Sequence, residues 1–393
     1  MTPAARVQSA IDVLDAVIAA ARREGASAER VAADWLKTRR FIGSKDRRAI
    51  RDLAWNAIRL CGEVPETGRA AMLALAARDP ALAGLFDGSN YGPAPILDDE
   101  PVAAAGLAPA WLEERLLASG ITAEQGAALL GRAPLDLRAN RLKTTRDRLA
   151  VSLPAAADHT QAPDALRLPG GTPVESWPEF ADGLFEVQDS GSQLTCSALE
   201  VRPGEAVVDL CAGAGGKTLA LAAAMQGEGH LLACDIDRAR LSRLAPRAAR
   251  AGAAVETRLL DPGKERAALA DWQGRADAVM VDAPCSGTGT WRRGPEARWR
   301  LTSQGLARYA RTQAEVLRIG AQLVRPGGRL TYVVCSLLDA EGPDVVTAFL
   351  AENPAWRAAN QQVGAGTPRG DGLRLTPWDD ATDGFFFATL HRL

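Results

Sequence analysis

Residues 207–225 read "VVDLCAGAGGKTLALAAAM", and this stretch decides the fold. A β-branched run closes on an acid, positions 212–216 hold three glycines, and an alanine- and leucine-rich run of helical composition follows. Strand, tight turn and helix in that order are the opening of a βαβ unit, hence of a parallel sheet. Glycine at the turn permits both sharp chain reversal and close approach of a ligand to the backbone. Two nucleotide readings fail on spacing. A Walker A loop needs glycine five residues before Gly216, where Cys211 stands, and a dinucleotide G-x-G-x-x-G starting at Gly213 needs glycine where Thr218 stands. The remaining ligand is S-adenosylmethionine, with Asp235 in "ACDID" placed to hold ribose hydroxyls and Asp261 in "RLLDP" to reach the adenine edge. The competing reading is that the glycines only pack a strand–helix corner and the acids are helix caps.

Outward from this turn the same alternation continues. Strands are expected near 206–211, 231–236, 255–261, 277–283 and 329–335, with helices between them, one of them long, in "SQGLARYARTQAEVLRIGAQLV". The C-terminal "GLRLTPWDDATDGFFFATLHRL" holds two strand-like pieces joined by a turn-rich loop, an antiparallel finish. The fold class expected is α/β, a doubly wound Rossmann-like domain with an antiparallel C-terminal strand pair. Upstream, residues 4–85 carry apolar positions at helical spacing, 91–109 are a proline-rich connection, and a short helical stretch spans 111–130. "LDLRANRLKTT" and "ALRLPGG" read as short strands of a small α+β subdomain. The expected domains are therefore 1–125 all-helical, 126–185 bridging and 186–393 doubly wound.

With 393 residues the chain exceeds one ordinary core, and a formal net charge of −2 gives no global attraction to a polyanion. Charge is local instead. "KTRRFIGSKDRRAIR" (37–51) and "RRGPEARWR" (292–300) are basic, the faces a phosphate backbone would meet. In the second, which Trp291 precedes, the arginines with Trp291 and Trp299 could serve phosphate pairing and base stacking, with at least one of the two tryptophans in the core. The six cysteines are scattered without zinc spacing, so neither a metal site nor a disulfide framework is expected. Three histidines, none beside a nucleophile, disfavour a Ser-His-Asp hydrolase. Without a signal peptide or an apolar run of transmembrane length, a cytoplasmic protein with reduced thiols and no membrane partner is expected.

Two strands end on a thiol: "AVMVDAPCSGTG" at Cys285 and "RLTYVVCSL" at Cys335. Carbon 5 of cytosine is a poor nucleophile until a thiolate adds at carbon 6, after which it can take a methyl group from a sulfonium. That chemistry asks for a cysteine at a strand's C-terminal end and a carboxylic acid near the pyrimidine N3/N4 edge. A lone cysteine is more often a small buried hydrophobe, as expected of Cys61, Cys196 and Cys234.

"DLCAGAGGKT", "ACDID", "VDAPCSGTGTWRRGPEARW" and "TYVVCSL", in this order, resemble the Sun/Nop-type RNA (cytosine-5) methyltransferases, the bacterial ribosomal-RNA branch in particular. "LRANRLKTTR" and "VQDSGSQL" match segments preceding the catalytic domain, and "GSKDRRAIRDLAWNAIR" is similar to the NusB-like RNA-binding domain of that branch. The resemblance implies Cys335 as nucleophile, Cys285 as the thiol that helps resolve the RNA adduct, and Asp282 as a contact of both cytosine and methyl donor. It further implies S-adenosylmethionine held by Cys211, Ala212, Gly213, Ala214, Gly215, Gly216 and Lys217 with Asp235, Asp261 and Asp282. The partner implied is RNA, small-subunit rRNA first, and the chain is expected to be a monomer. The sequence departs from the family at Gly213-Ala214 for Ala-Pro, at Val334 for Thr, and at Glu341-Gly342-Pro343 for Glu-Asn-Glu. Two alternatives stay open: a methyltransferase on tRNA or another acceptor, and a non-catalytic RNA-binding assembly factor.

Overall fold

A computed structural model describes all 393 residues, which fall into two compact units: Met1–Gly131 with Thr290–Ser303, and Arg132–Gly289 with Gln304–Leu393.

The first unit is helical, with helices Pro3–Ala21, Ala28–Lys37, Ser44–Leu60, Gly68–Ala76, Pro80–Ala83, Ala110–Ala118 and Ala123–Ala128. Val7, Ile11, Leu14 and Ile18 recur every third or fourth position of the first helix and meet Ile50, Ala54, Ile58 and Met72 in one core. Gly68 is required there, because a Cβ would lie 2.3 Å from the Ile11 carbonyl oxygen.

Segment 290–303 packs into this helical unit, which changes the reading of "RRGPEARWR". Trp291, Arg292, Glu296, Arg298 and Trp299 are all buried. The Arg298 guanidinium donates to the carbonyls of Ile58 (2.7 Å) and Cys61 (2.8 Å), and Trp299 Nε1 donates to Cys61 O at 3.2 Å. These are carbonyls at the end of helix Ser44–Leu60, which have no partner within the helix. Glu296 Oε1 accepts from the Ala28 N–H at 3.0 Å, at the start of helix Ala28–Lys37. The expectation of a stacking loop for RNA is corrected: both tryptophans lie in the interior and Arg298 caps a helix.

The second unit contains two sheets. The smaller is antiparallel, in the order β2-β3-β1-β4, built from β1 (Leu135–Ala139), β2 (Asp158–His159), β3 (Ala165–Leu168) and β4 (Phe185–Val187). Leu137, Ala139, Leu166, Leu168 and Phe185 share one core with Leu149 of helix Arg146–Ser152.

The larger sheet holds β5 (Ala206–Asp209), β6 (His230–Asp235), β7 (Glu256–Leu259), β8 (Ala276–Asp282), β9 (Val324–Val334), β10 (Trp356–Ala358), β11 (Thr367–Arg369), β12 (Gly372–Leu375) and β13 (Phe385–Arg392). Its order is β11-β12-β13-β9-β8-β5-β6-β7, with β10 also paired to β13. Strands β5 to β9 pair with one another in parallel, and β13 runs antiparallel to β9, so the expected doubly wound sheet with an antiparallel finish is what forms. Both faces are covered, and alternation along each strand sorts residues between them. Val279, Val281, Leu330, Tyr332 and Val334 pack on one face, while Ala278, Met280, Val333, Phe385 and Phe387 pack on the other. The long helix Ser303–Leu323 lies close to the first face, since a Cβ on Gly320 would come 2.7 Å from Val281 Cγ2. No helix is long and apolar enough to cross a membrane.

Candidate active site

The chain builds β5, β6 and β7 outward in one direction, then β8 and β9 in the other, so the order reverses between β5 and β8. The crevice beyond the carboxyl ends of the strands at such a reversal is where ligands of open α/β sheets bind. Asp209, Asp235 and Asp282 are the last residues of β5, β6 and β8. Asp261 lies two residues past the end of β7 and is exposed.

The glycine loop divides its work. Gly213 and Gly215 have φ of +55° and +87°, which L side chains rarely adopt. A Cβ there would also come 2.4 Å from Arg240 Nη2 and 2.1 Å from Leu244 Cδ1 respectively. These two glycines therefore serve the strand–helix corner. A Cβ on Gly216, the first residue of helix Gly216–Ala224, would meet nothing within 4 Å. That open space at a helix N-terminus, beside the strand-end acids, fits the amino-acid portion of S-adenosylmethionine. Asp235 is buried, and its two oxygens accept from the N–H groups of Gly213 and Asp237, each at 2.7 Å. It holds the loop as well as facing the crevice, with a lone pair left on each oxygen. Arg247 Nη1 donates to Ala214 O at 2.6 Å, and the Ala212 N–H donates to Cys234 O at 2.9 Å. Burial first, and then the Asp282 charge, push the Cys211 thiol well above its ordinary range, so it stays protonated beside the loop.

Lys217 turns toward the end of β8. Its Nζ pairs with Asp282 Oδ2 at 2.9 Å and lies 5.5 Å from the Phe385 ring centroid. Burial, the largest single effect, would lower the ammonium's pKa, but the Asp282 carboxylate together with the nearby Cys196 and Cys335 outweighs it and holds the group above its usual value. Asp209 was passed over in the sequence as a strand residue. It is fully buried, accepts from Thr218 Oγ1 at 2.6 Å, and leaves Oδ1 without a partner. Burial, reinforced by the Asp282 charge, raises its pKa to about 7.

The two strand-end thiols meet. Asp282 pairs with Val333 across β8 and β9, the Ala283 N–H donates to Val333 O at 2.9 Å, and the Gly289 N–H donates to Cys335 O at 3.0 Å. This register sets Cys285 Sγ 3.3 Å from Cys335 Sγ. The Cys335 sulphur beside it, and then burial, push the Cys285 thiol well above its ordinary value, so Cys285 is a thiol that keeps its proton. Val334 lies in the core with Leu330 and Tyr332 against which Cys285 packs, while Cys335 packs against the core on the other face of the sheet. Cys61, Cys196 and Cys234 are buried, and burial lifts their pKa values to about 11, 11 and 12.

Two further features lie outside the motifs. Glu341, noticed in the sequence only as part of a departure, is fully buried and accepts from Ser286, Ser336 and Gln313. On the helical unit Phe41 is 79% exposed, with Lys37, Arg40 and Lys45 exposed around it in sequence.

Residues 196–391 match the family described as 16S rRNA methyltransferase RsmB/F. Ribosomal RNA small subunit methyltransferase B of Citrobacter koseri is 34% identical over 330 residues, covering 81% of this chain and 75% of the relative. Its counterpart from Salmonella arizonae is 37% identical over 290 residues, covering 72% of this chain and 66% of the relative. Among solved structures, PH0851 has the same fold across the chain, with a TM-score of 0.75 at 23% identity, covering 98% of this chain and 99% of that one. A methyltransferase homolog protein from Pyrococcus horikoshii gives 0.61 at 25% identity over 72% of this chain and 99% of its own. Matched in sequence along most of its length, with two thiols meeting at the ends of its parallel strands, the chain belongs to the 16S rRNA methyltransferase RsmB/F family.

Proposed function

We propose that this protein forms 5-methylcytosine in small-subunit ribosomal RNA through a covalent adduct on Cys335. As a member of its family it is an RNA methyltransferase whose cofactor is S-adenosylmethionine. The observation that carries the finer reading is the 3.3 Å approach of Cys285 and Cys335 on adjacent strand ends, close in the chain to Asp282, which pairs with the buried Lys217. An amine-directed methyltransferase has no use for paired thiols.

S-adenosylmethionine, when bound, supplies the methyl group as a sulfonium. The loop 211–217 and Asp235 hold it, with the open face of Gly216 receiving its amino-acid end. Cys335 adds as thiolate to carbon 6 of the cytosine, forming the S–C6 bond and pushing the ring's π electrons toward carbon 5. Asp282, its side chain about one-third exposed, faces the pyrimidine N3/N4 edge while Lys217 fixes its orientation. Carbon 5 then takes the methyl group, a base removes the carbon 5 proton, and the C5=C6 bond re-forms as Cys335 departs with its electron pair. The protonated Cys285 donates its S–H to that sulphur and stabilises it as thiolate. The cytosine must leave its stack to reach a thiol, so a single-stranded or locally opened site is the substrate. Phe41 among exposed cations supports an approach by unpaired RNA to the helical unit.

The test is to incubate the protein with labelled S-adenosylmethionine and small-subunit RNA from a strain lacking the enzyme, then digest to nucleosides. Label in 5-methylcytidine is expected. Label in another nucleoside, or none, contradicts the proposal.

A further inference from the structure

Glu341 is a fully buried carboxylate whose partners are all neutral. Its Oε1 accepts from the Ser286 N–H at 2.8 Å and from Gln313 Nε2 at 3.0 Å. Its Oε2 accepts from Ser336 Oγ at 2.6 Å and from Ser286 Oγ. Ser286 and Ser336 directly follow the two thiols in the chain. Their hydroxyls stand 3.3 Å apart, repeating one residue on the 3.3 Å separation of the sulphurs. Gln313 also donates to Pro284 O at 2.9 Å, the residue before Cys285, and Tyr332 OH donates to Glu341 O at 2.6 Å. The chain turns immediately afterwards at Gly342, where a Cβ would come 2.8 Å from the Phe386 ring. The familial asparagine is therefore excluded here by packing, while the glutamate is retained.

Burying a carboxylate without a cation is costly unless donors surround it, and an apolar side chain would fill the same space more stably. The hydrogen bonds that Glu341 accepts from Ser286, Ser336 and Gln313 tie two turns together, which is a role in geometry. We propose that Glu341 is a positioning residue for both thiols: one carboxylate locks the turn after Cys285 to the turn after Cys335 and so sets the sulphur-to-sulphur distance on which adduct release depends. This rests on the thiol chemistry proposed above. A second consequence follows from charge. Behind the larger effects of the Cys335 sulphur and of burial, Glu341 also helps keep Cys285 protonated.

The full-length Glu341→Gln variant tests this with RNA and S-adenosylmethionine, its fold monitored by cofactor affinity in calorimetry. Methyl transfer should fall on the order of 10–100-fold, the effect of misplacing a reacting group by a fraction of an ångström to an ångström. A denaturant-resistant protein–RNA species should persist longer than in the parent. Alkylation of Cys285 by iodoacetamide, followed by peptide mass spectrometry, should begin at lower pH. Should Glu341→Gln lose cofactor binding, Ser286→Ala and Ser336→Ala each remove one hydroxyl from Oε2 and should each prolong the covalent species. Parental methylation and release with an unchanged alkylation profile would overturn the proposal. So would loss of methylation with neither a retained adduct nor an altered profile, since a collapsed site gives that result. The underlying thiol reading fails separately, if Cys335→Ala still methylates RNA.

Discussion

Asp209→Asn is a nearly isosteric change whose effect can be worked from the structure. The parent carboxyl is fully buried, accepts from Thr218 Oγ1 at 2.6 Å and leaves Oδ1 unpartnered. Burial raises its pKa from the ordinary 3.8 to about 7, with Thr218 opposing and Asp282 adding to the rise. Between those two values the folded state binds a proton that the unfolded state has released. A raised acid therefore gives stability that is full below the unfolded value and declines as pH climbs to the folded one. At about 1.4 kcal/mol per unit, the loss between pH 4 and pH 8 is roughly 4 kcal/mol. Asparagine keeps the acceptor for Thr218 and does not titrate. The variant should therefore gain on the parent by up to roughly 4 kcal/mol across that range, or about 8–16 °C in relative melting temperature for a unit of this size. Thermal unfolding of both proteins at half-unit pH steps measures the difference. Parallel stability profiles would refute the claim that Asp209 is buried with a raised pKa.

Replacing Asp235 by alanine removes the acceptor for the Gly213 and Asp237 N–H groups, hydrogen bonds to a charged group worth about 1.5–3 kcal/mol. S-adenosylmethionine affinity should fall about 10–100-fold in calorimetry, and an unchanged value would assign Asp235 no part in the cofactor loop. On the helical unit, Phe41→Ala should weaken RNA binding by about 1–3 kcal/mol through lost base stacking. Lys45→Glu should flatten the salt dependence by about one in slope, so affinities and slopes equal to the parent's would place that surface outside the RNA path.

The sheet was legible because alternation is local. The β-branched runs at 206–211, 277–283 and 329–335 mark strands from their own composition, and both thiols fall where those strands end. The meeting of the thiols was not legible, since it depends on the register of Asp282 opposite Val333 across 50 residues of chain. Segment 290–303 misled for the opposite reason. Arginine and tryptophan in a loop look available to RNA, but Arg298 donates to carbonyls some 240 residues away, which no local pattern shows. Glu341 stood out in sequence only as part of a departure from a motif. Its role as acceptor for the residues after both cysteines comes from tertiary contacts alone. For the glycines of 213–216 the sequence leaves ligand loop and strand–helix corner as alternatives, and the structure divides them: Gly213 and Gly215 close the corner against Arg240 and Leu244, while a Cβ on Gly216 would meet nothing within 4 Å.

The most direct test of the central claim is a denaturing gel of Cys335→Ala and Cys285→Ala, each incubated with small-subunit RNA and S-adenosylmethionine. Cys335→Ala should neither methylate nor form any covalent complex, because no S–C6 bond can form. Cys285→Ala should attack but release slowly without the S–H that meets the departing sulphur, and a denaturant-resistant protein–RNA band should accumulate. A band in Cys335→Ala and none in Cys285→Ala would reverse the two roles, and methylation without any band in both would contradict the covalent mechanism.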